Sequence, residues 1–484
     1  MVASLLFECP TGHSTPSALQ DGIPLTRAYH VMTRTVYYLG SLVGGLFLLA
    51  SGASAAGFAL QEQSVSGLGN AFAGGAAAME DNSAIFTNPA ALVGFDSPEL
   101  QIGAHYIAPE SEFSNQGTTT IGVSTQGDSG DSDKSAIVPN LYYSHPVSDH
   151  WILGLGVSVP FGLETEWGDT WVGRYIANKS KIEDINVQPT LVYKVNDQLS
   201  IGVGVDIANV SAELTNAVDM GLVFLNAVQG GAIPAAAVSP QLLSSVQSDI
   251  GGSNFDGSFK VKGDGVGYGF NIGMLYRFND QTRLGIHYRS SIDVDLDGDN
   301  TFVVGPLEPY LGAIFPNGKA GVDLELPSTT NISLFHQIDD AWAIMGDIQY
   351  TTWSSFDYLS IQYKQPTPPV TSVPELWEDV WRYAIGVNYQ ATEALKLRAG
   401  ISYEETPVPS AAYRSPRIPD ADRTWLSLGM EYAFNKSLRA NVGVTYITVD
   451  DPEIDNDTHS AGQHLKGVID ASVTIFSLSM VYDF

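Results

Sequence analysis

From about residue 99 to the end, apolar and polar residues alternate with a period of two, the pattern of strands that bury or coat one face. In the segment from Trp151, the residues Trp151, Leu153, Leu155, Val157, Val159 and Phe161 share one face. Ile152, Gly154, Gly156, Ser158 and Pro160 share the other. The same division separates Trp381, Tyr383, Ile385, Val387 and Tyr389 from Arg382, Ala384, Gly386, Asn388 and Gln390. Leu395, Leu397, Ala399, Ile401 and Tyr403 oppose Lys396, Arg398, Gly400, Ser402 and Glu404. The last run sets Phe476, Leu478, Met480, Tyr482 and Phe484 against Ile475, Ser477, Ser479, Val481 and Asp483.

Alternation also occurs in soluble sandwiches, so the composition of the faces and the turn spacing decide. The apolar faces are bulky and end in aromatics, as lipid-facing strands with aromatic girdles do; the other faces mix Gly, Ser, Asn, Arg and Glu. Short polar joints fall at 147–150, 195–198, 278–281, 338–341, 391–394 and 434–437. Long connections rich in Gly, Asp and Pro fall around 116–134, 168–180, 220–255, 303–318, 364–376, 405–421 and 450–466. Short turns on one side and long loops on the other predict an all-β, transmembrane, antiparallel up-and-down barrel. Thirteen connections make about fourteen strands, with both ends of the barrel on the turn side. Such a sheet must close, because hydrocarbon offers its backbone no partner. At roughly 10 residues per tilted strand, the wall uses about a third of the chain. Loops, strand extensions and an internal element take the rest.

Composition narrows this further. With 23 bases against 53 acids, the net charge of −30 excludes a nucleic-acid binder that relies on a basic surface. Charged residues make up 16%, below the usual share of about a quarter, and the 48 glycines are unusually many. One cysteine excludes an internal disulfide and Cys-rich metal sites.

The one long apolar run, from Val36 to Ala50, follows Arg34 and precedes Ala53-Ser54-Ala55. This is the layout of a secretory signal, and the run is too short for a comfortable transmembrane helix. Residues 1–31 are polar and unpatterned, so Met32 is the expected start and cleavage is expected after Ala55. Cys9 then falls outside the mature chain. Residues 1–55 hold two bases and two acids, so the exported protein keeps the whole −30. The expected organisation is an upstream extension and signal over 1–55, an N-terminal segment over 56–98 and a barrel over 99–484.

Residues 56–98 do not alternate. Dense small residues and glycines predict short compact turns of helix, and a barrel of this size leaves a bore that is either open or plugged. The segment is therefore expected as a small helical hatch inside the bore. Its Ala56-Gly57-Phe58-Ala59-Leu60 start, Ser66-Gly67-Leu68-Gly69 core and Asn88-Pro89-Ala90 ending resemble the FadL-type family of outer-membrane transporters. The resemblance covers the whole mature chain in layout and is most specific in this segment. It implies passive uptake of hydrophobic molecules, long-chain fatty acids foremost, with capture by outer loops, binding in the lumen and rearrangement of the hatch. Exit is then lateral, through a gap at an inwardly kinked third strand. Phe58, Leu60, Asn88, Pro89 and Ala90 become the expected gate, and Pro160, Phe161 and Gly162 the expected kink. Proline removes a ladder donor and belongs at edges and bulges; a strand end at the loop rim is the plainer reading of the same residues.

Strand parity places Arg289 and Arg382 toward the lumen. Each is a candidate contact for a fatty-acid carboxylate; salt bridging to Asp206, Asp347 or Glu431 is the competing reading. The apolar loop 220–255 is either a landing surface for greasy solutes or a self-packed cap, and the resemblance favours the former. Asp293-Val294-Asp295-Leu296-Asp297-Gly298 imitates a calcium loop, but its twelfth position is Val304 and it continues a strand. The Gly-x-Gly pairs never complete a nucleotide-binding motif and read as lumen-facing strand glycines. No catalytic, metal or cofactor site is expected, and the chain is not read as an enzyme. Aromatic hydrocarbon uptake by the same route, a structural or adhesive barrel, and a general porin remain as alternatives. The expected partners are hydrophobic small molecules, outer-membrane lipid and lipopolysaccharide, and the barrel assembly machinery, which the terminal Phe484 would engage in a Gram-negative outer membrane.

Overall fold

The computed structural model describes residues 56–484 apart from 367, 369, 460 and 461. The expected signal segment, with Met32 and Cys9, lies outside the described residues.

Fourteen antiparallel strands close into a barrel. In chain order they are β1 (Glu99–Asn115), β2 (Ala136–Pro146), β3 (Trp151–Ser158, then Gly162–Glu166), β4 (Lys179–Lys194) and β5 (Leu199–Asp219). Next come β6 (Asp256–Arg277), β7 (Thr282–Arg289, then Ile292–Val303), β8 (Gly318–Leu326, then Thr329–Gln337) and β9 (Trp342–Thr351, then Tyr358–Tyr363). The circuit ends with β10 (Thr371–Pro374, then Val380–Gln390), β11 (Leu395–Glu404), β12 (Arg423–Ala433), β13 (Leu438–Val449) and β14 (Gln463–Asp483). Seventeen residues of β1 pair with β14, from Glu99↔Asp483 to Asn115↔Gly467, and this seam closes the circuit between the first and last strands.

The wall follows the alternation. On β12, Leu426, Leu428, Met430 and Tyr432 are exposed on the outer surface, while Trp425 and Ser427 are buried inside. Aromatic pairs sit beside the short turns: Trp151 with Tyr193 at 4.6 Å, Trp342 with Tyr389 at 4.4 Å and Tyr482 with Phe484 at 5.0 Å between ring centroids. Tyr350 and Trp381, at 4.6 Å, pair beside the opposite, long-loop end of their strands. Rings with an apolar body and a polar tip suit the two membrane–water boundaries.

Two departures from regular alternation matter. Strands β7 to β10 are each interrupted at one level, at 290–291, 327–328, 352–357 and 375–379. The last two interruptions turn Trp353, Phe356, Glu375 and Trp377 into the interior, where all four are buried. In β3, Trp151, Leu153 and Leu155 face outward as the period of two requires, but Val157, Val159 and Phe161 are buried. The period carried to the end of the segment therefore misplaces Val159 and Phe161. Pro160 breaks the ladder, and three residues of β3 stand opposite two of β4 between Ser158↔Asn186 and Gly162↔Glu183.

Residues 56–98 fold as short turns, with helices at α1 (Val65–Leu68) and α2 (Ala84–Thr87) and a 3-10 turn over Pro89–Gly94. They touch inward faces right around the circuit. Ile85 and Leu92 meet Gly154 on β3, Ala90 meets Gly202 on β5, Asn88 meets Gly273 on β6 and Ala76 meets Gly285 on β7. On the far side Asn70 meets Gly386 on β10 and Gly400 on β11, and Leu68 meets Gly443 on β13. The glycines are needed because backbone approaches backbone: a Cβ at Gly202 would lie 2.6 Å from the Ala90 nitrogen.

Candidate functional site

The kink in β3 keeps one backbone bond to the wall, from Asp184 N of β4 to Phe161 O at 3.0 Å, and is otherwise paired with the N-terminal segment. A backbone group taken out of a ladder needs another partner when it is buried. The Gln63 side chain supplies both for Val159, donating to its carbonyl at 2.6 Å and accepting from its amide at 3.2 Å. Leu60 N donates to Pro160 O at 2.7 Å, and Gly162 N donates to Phe58 O at 2.9 Å. Tyr142 on β2 donates its hydroxyl to Gln63 O at 2.9 Å. β2 pairs with β3 only from Leu141↔Val157 to Pro146↔Ile152. Among the described residues no pairing joins Ala136–Asn140 to the outer piece of β3. The wall therefore has a missing seam between β2 and β3, and the side chain that holds its edge, Gln63, carries no motif that marks it in the sequence.

Phe58 is fully buried in a cluster of rings drawn from the kink and from the interruptions of β9 and β10. Its centroid lies 4.7 Å from Trp353, 5.7 Å from Phe356, 6.0 Å from Phe161 and 6.0 Å from Trp377. Leu60 packs on Gly162. Asn88 caps the 3-10 turn by accepting from Ala90 N at 3.1 Å. Its amide donates to Ala76 O at 2.6 Å and to Met274 O of β6 at 3.0 Å. Pro89 follows at the first position of the turn, where its missing N–H costs nothing. The expected gate residues thus fall into two places, Phe58 and Leu60 at the kink and Asn88, Pro89 and Ala90 against β5 and β6.

Beyond Phe356 lies an apolar cavity lined by Leu163, Ile182, Ala212, Leu214, Leu324 and Ile418 among others. Arg417 and Glu375 stand in the same lining. A second groove, closer to the outer loops and lined by Tyr175, Phe259, Phe302, Phe315, Tyr363 and His459, shares Leu214, Leu359 and Arg417 with the first. The two spaces meet at Arg417.

The arginines divide by partner. Arg289 is ion-paired with buried Asp206 and donates to Gln188 Oε1 at 3.0 Å and to Phe86 O at 3.1 Å, with its guanidinium over the Phe86 ring. Arg382 donates to Ala71 O and lies 3.8 Å from Asp347. Arg398 is held by Glu80 and Glu431. Arg289 and Arg382 are thus engaged by groups of the chain itself, one of them by a fixed acid at close range. Arg417 differs. Its guanidinium donates only to the neutral Ser180 Oγ and Asn216 Oδ1, both at 3.2 Å, and among the described residues no acid lies within ion-pair distance. Burial pulls it down to about 10, so it stays charged at neutral pH. Arg417 sits in the loop after β11, off any alternating strand, so parity offered no signal for it.

The apolar residues of 220–255 pack on one another and on 304–315. Phe224 lies 5.3 Å from Tyr310, and Met220, Val246, Val304, Leu307 and Leu311 share their cluster. The segment forms a self-packed cap, and the groove with the open aromatic lining is built by other residues. The calcium-like stretch lies on the outer piece of β7, where Asp297 is ion-paired with Lys364.

The comparisons follow the geometry. Residues 46–484 match the model of a family described as outer membrane protein transport protein (OMPP1/FadL/TodX). The long-chain fatty acid transport protein of Escherichia coli K12 is 31% identical over 424 residues, covering 86% of this chain and 92% of the relative. Outer membrane protein P1 of Haemophilus influenzae is 31% identical over 420 residues, covering 84% and 89%. The crystal structure of a Pseudomonas aeruginosa FadL homologue superposes with a TM-score of 0.79 at 27% identity, covering 89% of this chain and all of that one. The Pseudomonas putida toluene transporter TodX shares the fold, with a TM-score of 0.62 at 21% identity over 83% of this chain and 94% of its own. This chain is an outer-membrane β-barrel, not an enzyme, and it belongs to the OmpP1/FadL/TodX family of outer-membrane transport proteins.

Proposed function

We propose that this protein carries long-chain fatty acids passively into the cell across the outer membrane. The observation that carries the reading is the apolar cavity whose lining includes a cation desolvated by burial, Arg417, with no acid at ion-pair distance among the described residues. An acyl chain gains from leaving water for such a lining, and its carboxylate gains a charge-assisted hydrogen bond. Solute is taken first into the aromatic outer groove and passes Arg417 into the cavity. Residues 56–98 act as a hatch. The start of the hatch holds the kink by Leu60 N, Phe58 O and the Gln63 side chain, so a ligand that displaces Phe58 also frees the missing seam between β2 and β3. Exit is then sideways into the bilayer. No nucleotide-binding motif occurs in the chain, so movement is downhill. The exposed terminal Phe484 is the proposed signal for barrel assembly.

Uptake of labelled oleate in cells lacking other hydrophobic carriers tests this: expression must raise uptake, and no gain from a correctly inserted barrel sinks the fatty-acid reading. The ring cluster around Phe58 favours a second reading, monoaromatic uptake by the same route. Toluene carries no charge, so its uptake would be indifferent to Arg417.

A further inference from the structure

Glu375 is nearly fully buried and stands in the lining of the same cavity as Arg417. A tight turn puts it there. Asp357 O accepts from Glu375 N at 2.9 Å and from Leu376 N at 3.0 Å, and Leu376 is held at φ +50, a conformation uncommon for a residue with a side chain. Strained backbone of this kind recurs at ligand clamps. Among the described residues the Glu375 carboxyl makes no hydrogen bond. A carboxyl and a guanidinium therefore line one apolar space, neither of them in a close ion pair.

We propose that Arg417 and Glu375 together form the recognition site for the carboxylate of an anionic amphiphile. Arg417 supplies the charge and neutral Glu375 donates a hydrogen bond. Ionised Glu375 competes for Arg417 and repels the ligand's carboxylate, so the pair selects anionic lipid at one protonation state and is indifferent to neutral lipid. The inference rests on the uptake reading and names its head-group contacts.

Electrostatics fits this division of roles. Burial pushes the Glu375 carboxyl up to about 8, against the pull of Arg417. The other charged neighbours do not compete. His459 Nε2 donates to Pro374 O at 2.9 Å, and burial holds it near 4, so it is neutral at physiological pH. Asp357 meets Glu375 through its backbone carbonyl, and its side chain is exposed. Lys262 also stands in the cavity lining but is exposed to solvent, where its charge is screened. The sign follows: the site is complete below about 8 and is lost as pH rises through it.

The test is equilibrium binding of labelled oleate and of methyl oleate to the full-length barrel in lipid nanodiscs. Oleate affinity should fall about tenfold between about pH 7 and about pH 9, the loss expected one unit above the transition. Methyl oleate should bind equally throughout. Glu375→Gln keeps a neutral donor and should make oleate binding flat; oleate's own titration is common to both proteins and cancels. Arg417→Gln should weaken oleate about 10- to 100-fold at every pH and spare methyl oleate, with Arg417→Lys recovering part of the loss. A flat wild-type profile, an unchanged fall in Glu375→Gln, or an equal loss of both lipids in Arg417→Gln overturns the inference while the uptake reading stands. Failure of the wild type to bind either lipid overturns both.

Discussion

Asn88 pins the turn of the N-terminal segment through three hydrogen bonds, one of them to the wall at Met274 O and two within the segment, and the cost of losing them can be worked out. In Asn88→Ala the amide no longer donates to Ala76 O and Met274 O, and the side chain no longer accepts from Ala90 N. Each lost bond to the backbone costs about 1 kcal/mol net, and loss of the cap about 1 kcal/mol more. Seating of residues 84–94 should weaken by about 3 kcal/mol, which raises the population of the unseated segment about 150-fold. Gly273 supplies an internal control. A Cβ there would collide with Asn88 Oδ1 and lie 3.1 Å from Pro89 Cδ. Gly273→Ala alone should unseat the turn as well, whereas the double variant removes the main clash, so its effect should fall short of the sum by about 1–3 kcal/mol. Hydrogen exchange on the barrel in nanodiscs reads this directly at the amides of Ala90 and Ala91, and heat-resistant migration in gels reports the wall separately. Unchanged protection in Asn88→Ala, or strict additivity of the two substitutions, would refute the account of the N-terminal segment as pinned through Asn88.

Three further outcomes follow from the same geometry. Pro160→Val restores a ladder donor to β3; the barrel should assemble with unchanged or higher heat resistance while oleate uptake falls, and normal uptake would count against exit through the missing seam. Arg289→Met leaves Asp206 buried without its cation and should cost about 3–5 kcal/mol of barrel stability. The double variant Asp206→Leu/Arg289→Met should recover most of that loss, and reduced oleate binding at full stability would instead make Arg289 a ligand contact. Glu62 is fully buried in the N-terminal segment, and burial, reinforced by Glu404 and opposed by Arg423 and Arg382, raises it to about 7. Its folded value lies above its unfolded one, so seating of the N-terminal segment should weaken as pH rises through about 7. Ion conductance through the barrel should rise over that window, and Glu62→Gln should abolish the rise; identical profiles would remove Glu62 from the account.

Much of this protein is legible in the chain because the signals are local. A period of two assigns each wall residue to one face, and polar joints mark the short turns, as at 147–150 between β2 and β3 and at 434–437 between β12 and β13. Fourteen strands, their order and the lumen-facing glycines follow from that. What distant parts of the chain do to one another is not written in any period. Val159 and Phe161 carry the pattern of an outward face, yet they turn inward where Phe58, Leu60 and Gln63, about a hundred positions earlier, supply backbone partners that β2 withholds. Parity points Arg289 and Arg382 into the lumen, but only the assembled barrel brings Asp206 and the Ala71 carbonyl to them. It also leaves Arg417, in a loop without periodicity, as a cation desolvated by burial in an apolar cavity, with no acid at ion-pair distance among the described residues. The wall is a repeating, nearest-neighbour structure and is determined locally. The path through it depends on which buried charges and backbone groups find partners across the bore, and those partnerships exist only once the barrel has closed.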